Sequence, residues 1–237
     1  MGQPVAGVDG CRAGWLVVLV DEQGQPISSS QLRLCREFEE ILSLSPKPSV
    51  IAVDIPIGLL DRPQRGGRVC DQRARRLLGR RACSVFSPPS RQVLGATCYE
   101  DVRVQSLSIQ AYGILPKIRE VDRLMTPELQ KVIHEAHPEL AFMALAGHPM
   151  RFNKKTPRGQ RERVRALKRA RRHFFQGIRR TFVDGLKAFT RRQVAPDDVL
   201  DACALAYTAL RIADGKAQRV PPYPAIDPRG IRMEIWH

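Results

Sequence analysis

Long apolar runs are missing from this sequence of 237 residues. None approaches the roughly eighteen residues that a membrane span needs, so no membrane partner is expected. The opening Met1-Gly2-Gln3-Pro4 lacks the charged-then-apolar pattern of a secretory leader, and Gln3-Pro4-Val5-Ala6 lacks the serine or threonine of a myristoylation signal. A cytoplasmic protein is expected. Paired cysteine motifs are missing as well. The six cysteines, at 11, 35, 70, 83, 98 and 203, include no C-x-x-C and read as reduced, mostly buried thiols. His134 and His137 flank Glu135 at a spacing that invites zinc, yet no second ligand pair follows and a strand would separate the two rings.

Negative charge is scarce: 39 lysines and arginines stand against 24 acids, for a formal charge of +15. A surplus of that size favours polyanionic partners by field alone. Between residues 151 and 192 the chain carries sixteen basic residues against only Glu162 and Asp184, so this segment holds almost all of the surplus. Val164, Leu167 and Ala170 form the apolar stripe of a helix whose other faces present Arg161, Arg163, Arg165, Lys168, Arg169, Arg171 and Arg172. Like charges at helical neighbours repel, and phosphate binding offsets that repulsion through counterion release. Lys154, Lys155, Arg158, Arg161, Arg165, Lys168, Arg169 and Arg172 are the expected contacts to RNA or DNA.

What the sequence does have is a set of short, fully apolar strands. The run Val50–Val53 reads as a strand buried on both faces, and it ends in Asp54 with Pro56 just beyond. An acid at the mouth of a central strand needs a cap, a metal or a chemical task. Val5 to Gly10 and Gly14 to Val20 form a hairpin, Ile27 to Leu34 reads as a third strand, and Arg36 to Leu44 as an amphipathic helix. Strand, strand, strand, helix, strand gives a mixed sheet whose first and fourth strands lie adjacent and parallel, which sets Asp9 beside Asp54.

Further along, Arg68 to Arg81 reads as a helix with a solvated basic face and with Leu77 and Leu78 turned inward. Residues 100 to 125 read as mainly helical with a kink at Pro116. Lys131 to Glu139 reads as a fifth strand stopping at Pro138, where Pro138 and Glu139 suit the first turn of a helix. Pro196 opens another helix. Dipole complementarity accounts for Asp197 and Asp198 there, but not for Asp201, which shares a face with Asp198. Ala202, Cys203 and Ala206 are small enough to let this helix lie close against a sheet. Gly215 ends it, a proline-rich linker follows, and residues 230–236 read as a closing edge strand. One α/β domain over 1–237 is expected, with helical insertions at about 62–128 and 150–192.

Several of these stretches together carry a resemblance. Gly7-Val8-Asp9-Gly10-Cys11-Arg12 before Gly14-Trp15, Asp54-Ile55-Pro56-Ile57-Gly58-Leu59, the Arg68–Arg75 segment, Ser84-Val85-Phe86 and the Glu135-x-His137-Pro138-Glu139 pattern resemble a bacterial and archaeal family of predicted ribonuclease H-like nucleases. That family has long been known only as a domain of unknown function. The Asp198-x-x-Asp201-Ala202 pattern is also similar to the last helix of the ribonuclease H-like Holliday-junction resolvases. The resemblance implies a ribonuclease H-like mixed sheet, three antiparallel strands followed by parallel ones, and a nuclease activity.

On that reading Asp9, Asp54, Asp198 and Asp201, with Glu135 possible as a further catalytic acid, converge at the carboxyl end of the central strands. Crowded carboxylates are favourable around Mg²⁺ or Mn²⁺, and the four aspartates are the expected metal ligands. Two such ions about 4 Å apart position and deprotonate a water and stabilise the leaving oxygen, which is phosphodiester hydrolysis. No histidine or lysine base is required. Two alternatives stand beside it. One is a nucleic-acid-binding module without catalysis. The other is a phosphate- or ATP-handling protein of the same fold superclass, which Asp9-Gly10 suits but the lack of a second glycine-rich, adenosine-binding loop does not.

Overall fold

The computed structural model describes residues 3–24, 32–103, 109–170, 183 and 187–237. Arg171, Arg172 and most of the expected third strand before Leu32 lie outside these residues.

Two apolar segments build the sheet's centre. β1 (Val5–Cys11) and β2 (Gly14–Val20) pair antiparallel from Val5–Val20 to Cys11–Gly14, and β2 is buried at every position. β3 (Leu32–Cys35) adds to the outer edge of β2. The chain then passes through the short helix α1 (Phe38–Leu42) and returns as β4 (Val50–Val53), parallel to β1 and on its other side. β5 (Ile133–Glu135) lies parallel to β4, completing a five-stranded mixed sheet in the order β3-β2-β1-β4-β5.

Period-two alternation divides this sheet into two cores. Trp15, Val17, Leu19, Ile51 and Val53 face α1 and two helices of the long excursion between β4 and β5, α4 (Ile109–Gly113) and α5 (Leu115–Leu124). Val5, Leu16, Val18 and Ala52 face α6 (Pro138–Ala146), α7 (Pro157–Leu167) and α8 (Pro196–Ala213). The same excursion carries α2 (Val69–Leu78) and α3 (Tyr99–Arg103). Pro116 marks a boundary rather than a kink: the helix breaks at Ile114, and proline sits in the first turn of α5, where its missing N–H costs nothing.

Three expectations change. Leu78 is buried in α2, but Leu77 is exposed, because only one of two consecutive helical positions fits the packed face. Arg68 is buried at the head of α2, not part of a solvated face. The proline-rich stretch is no linker. It forms β6 (Arg219–Ile226), which pairs antiparallel with β7 (Arg232–Trp236) in a separate two-stranded sheet, with a register shift between Val220 and Ala225 where the prolines interrupt pairing. All six cysteines are free thiols; four are buried, while Cys83 and Cys98 are exposed. Among the described residues no helix is long and apolar enough to cross a membrane.

Candidate metal centre and basic face

Strand alternation places Val5, Gly7 and Asp9 of β1 on the face that α8 covers, and Val50, Ala52 and Asp54 of β4 on the same face. The last residues paired between these strands are Val8 and Val53, and the Asp54 amide donates to Val8 O at 3.0 Å. The two acids therefore emerge one step beyond, at adjacent carboxyl ends.

Contact between α8 and β1 brings in the third acid. A Cβ at Gly7 would stand 2.0 Å from the Ala206 amide nitrogen and 2.2 Å from Ala202 O. Helix backbone thus lies directly on strand backbone, and only small residues permit it. Asp201, one residue before Ala202, is carried to the cluster by this contact and is fully buried. Asp198 serves the helix as well, accepting from the Ala195 amide at 2.8 Å.

The carboxylates interact. Burial holds Asp9 well above the usual carboxylate range, and the charges of Asp201 and Asp54 push it further. Burial also raises Asp54, against the pull of His137 and Lys154, with Glu139 adding to the rise. Asp201 is pushed up to about 6 by burial, although Lys154 draws it down. Asp198 is raised by burial, then by Asp197. Lys154 stands among them: its Nζ lies 2.5 Å from Asp201 Oδ2 and 3.8 Å from Asp197 Oδ2. Burial works against its ammonium, but Asp201 and Asp9 outweigh that and hold it firmly protonated.

Lys154, one of the expected nucleic-acid contacts, stands inside the acidic cluster. The lysine answers a buried charge excess that no exposed contact would neutralise. Asp201 Oδ1 nevertheless stays buried with no hydrogen-bond partner. The donor set is therefore right for a hard divalent cation: carboxylate oxygens, too many for the positive charge present, one of them orphaned. Its present spacing is not that of a loaded site, for among the described residues no three His, Cys, Asp or Glu side chains converge closely enough to hold an ion.

Glu135 belongs elsewhere. It is buried, not on the surface, and Arg68 grips it with Nη2 to Oε1 at 2.6 Å and Nη1 to Oε2 at 2.8 Å, while the Ile57 amide donates to Oε2 at 2.7 Å. Burial pushes Glu135 up to about 7 against the pull of Arg68. Glu139, in the first turn of α6, is the glutamate that acts on Asp54; it pairs with Arg81 at 2.9 Å and with the buried Arg163, and its Oε2 has no partner. Neither histidine has the setting of a zinc ligand. His134 packs edge-on against Trp236, and His137 caps α6, its Nδ1 accepting from the Glu139 amide and its Nε2 donating to Ser84 O.

A cleft of about 630 Å³ opens over Asp9, Asp54, Asp197 and Asp198. Its rim carries Arg12, Lys117, Lys155 and Arg191, of which only Lys155 was anticipated. Lys117 is fixed by the Gly14 carbonyl at 2.6 Å and by the Trp15 ring at 4.3 Å, and burial lowers its pKa. It lies 108 positions after Asp9 with no local pattern to betray it.

Arg158, Arg161, Arg165, Lys168 and Arg169 are exposed on and after α7, as expected. With Arg151 and Phe152, the four arginines line a second cleft of about 580 Å³. Arg158 stacks over the Phe152 ring at 3.9 Å. Arg163 departs from the expected pattern: it is wholly buried, donating to Gly159 O at 3.2 Å and Phe152 O at 3.1 Å besides its pair with Glu139.

The fold and this cluster define an α/β protein with a carboxylate centre at the mouth of a five-stranded mixed sheet. The chain belongs to the family described as "Protein of unknown function (DUF429)", whose profile matches residues 7–226. No curated protein and no solved structure matches it.

Proposed function

We propose that the chain is a ribonuclease H-like, metal-dependent nuclease that hydrolyses phosphodiester bonds. The observation that carries this reading is the group of buried Asp9, half-buried Asp54 and buried Asp201, the first two at the ends of adjacent parallel strands and the third on α8 against them, with the Asp201 Oδ1 unpartnered. The strand order, an antiparallel trio followed by two parallel strands, supports it. Asp9, Asp54 and Asp201, with Asp198 at their edge, would hold Mg²⁺ or Mn²⁺. Divalent cations bound there supply water activation and stabilisation of the leaving oxygen.

The chain's own residues do the rest. Arg12, Lys117, Lys155 and Arg191 ring the cleft and bind backbone phosphates on either side of the bond to be cut. Arg158, Arg161, Arg165 and Arg169 anchor more distant phosphates, a sequence-independent grip that orients the strand. Glu139 acts through Asp54 and holds α6 in place through Arg81 and Arg163. Glu135 is assigned a structural role.

The test is cleavage of labelled RNA, single-stranded DNA, duplex DNA and branched DNA with Mn²⁺ or Mg²⁺, comparing wild type with Asp54→Asn and Asp201→Asn. Products that need the metal and vanish in both variants are expected. Cleavage that persists in either variant removes that acid from the site. One observation favours a second reading, a non-catalytic nucleic-acid-binding module: Lys154 already gives Asp201 a counter-charge. Salt-sensitive binding that EDTA leaves unchanged, with no cleavage of any substrate, would establish that module instead.

A further inference from the structure

We propose that Lys154 is the resident cation of the carboxylate centre, occupying the place a divalent cation would take, so that ion binding requires its ammonium to withdraw. This rests on the metal-dependent reading above and specifies how the site is held when no ion is bound.

The geometry is specific. Asp201 is fully buried, and among the described residues its carboxylate accepts a hydrogen bond from Lys154 alone, at 2.5 Å on Oδ2, while Oδ1 has no hydrogen-bond partner. The same ammonium acts electrostatically on Asp9, Asp54 and Asp198. This monovalent ammonium thus acts on four acids, alongside Arg163 on Asp201, Lys155 on Asp198 and His137 on Asp54, and it satisfies one oxygen. A cation of higher charge and larger coordination number would serve them better, and both cannot stand in one place. Lys117, Lys155 and Arg191 line the open cleft, and Lys154 does not. Its side chain is still a third exposed, so solvent is within reach of the withdrawn ammonium.

The segment that presents Lys154 is built for the purpose. Glu162 accepts from the Arg151 and Phe152 amides at 3.0 Å each, and Arg163 takes Phe152 O. Asn153 O accepts from Thr156 Oγ1 at 2.8 Å, and Thr156 Oγ1 in turn accepts from the Gly159 amide to cap α7. Gly159 is pressed against this turn: a Cβ there would stand 1.9 Å from Asn153 O. Backbone on both sides of Lys154 is therefore fixed to the first turns of α7, and the freedom lies in the lysine side chain.

The experiment is thermal unfolding and calorimetry of the full chain during a Mn²⁺ titration, for wild type, Lys154→Met, Lys154→Gln and the distant control Lys216→Met. Lys154→Gln keeps a donor for Asp201 without the charge, should Lys154→Met fold poorly. Without ion, both Lys154 variants should melt below wild type. With Mn²⁺ the order should reverse, the half-saturating concentration falling at least about tenfold, while Lys216→Met tracks wild type. Equal half-saturating concentrations in wild type and both Lys154 variants would overturn the proposal. If Asp54→Asn then abolished the Mn²⁺ effect, the metal centre would stand without a resident lysine; if Mn²⁺ stabilised none of the proteins, the metal-dependent reading would fall as well.

Discussion

Two buried charge assemblies sit at the same end of the sheet, and they are finished differently. Around Arg68 every group is answered: the guanidinium donates to both oxygens of Asp71, both oxygens of Glu135 and the carbonyls of Ile57 and Gly58. Burial raises carboxylates in both assemblies, Glu135 included, but around Lys154 one ammonium stands among Asp9, Asp54, Asp198 and Asp201, and an oxygen of Asp201 is left over. A buried charge that is fully paired holds structure, and removing one partner is costly. A buried excess is tolerated where something else is meant to bind, and it costs stability while it waits.

Four changes probe that contrast. The largest effect should come from Arg68→Met, which strands two buried carboxylates: a loss of about 3–5 kcal/mol in urea unfolding is expected, and a loss below about 1 kcal/mol would mean the assembly is not what holds α2 to β5. Next is Gly7→Ala. Its methyl group would displace α8 from β1, costing about 1–3 kcal/mol and drawing Asp201 away from Asp9; the prediction adds that the Mn²⁺ response weakens along with stability.

Third is the pH response at His134, the neighbour of Glu135 in β5. Burial lowers its pKa to about 4, whereas the unfolded imidazole titrates near about 6.5. Between these values the unfolded chain binds more protons, so this contribution is intact above about pH 6.5 and is lost as pH falls towards 4. His134→Leu should therefore gain about 2 kcal/mol relative to wild type on going from pH 7 to pH 5. Asp201, raised to about 6, acts oppositely over the same window, which is why the comparison is with the variant and not with an absolute curve. An unchanged difference between the two pH values would show that His134 is not buried neutral. The smallest effect is a gain: Asp9→Asn, relieving repulsion among crowded acids, should raise metal-free stability by about 1 kcal/mol. A loss there, matching the loss from Glu135→Gln, would erase the distinction between the two assemblies.

The central sheet was legible because its strands are short continuous apolar runs, and their order forces β4 beside β1. Asp9 and Asp54 were legible for the same reason, each a charge ending a buried strand. Ala202 and Ala206 announced the close contact that carries Asp201. What stayed hidden were the partners. A helical arginine looks the same in sequence whether it is solvated, like Arg161, or buried, like Arg163. The available hint was the face Arg163 shares with Gly159, Ala166 and Ala170, small residues that let a long side chain lie inside. Lys154 lies 47 positions before Asp201, so only the folded chain brings them together. Glu135 and Glu139 stand in one motif four residues apart, and local pattern could not say which would meet Arg68 and which would face Asp54.

The most direct test of the account is calorimetric titration of Mn²⁺ into wild type, Asp54→Asn and Glu135→Gln, each checked for native secondary structure. Saturable binding in wild type and Glu135→Gln, lost in Asp54→Asn, is the predicted result. Binding that survives Asp54→Asn, or no binding to any of the three, would contradict the claim that the unanswered carboxylates are there to hold a divalent cation.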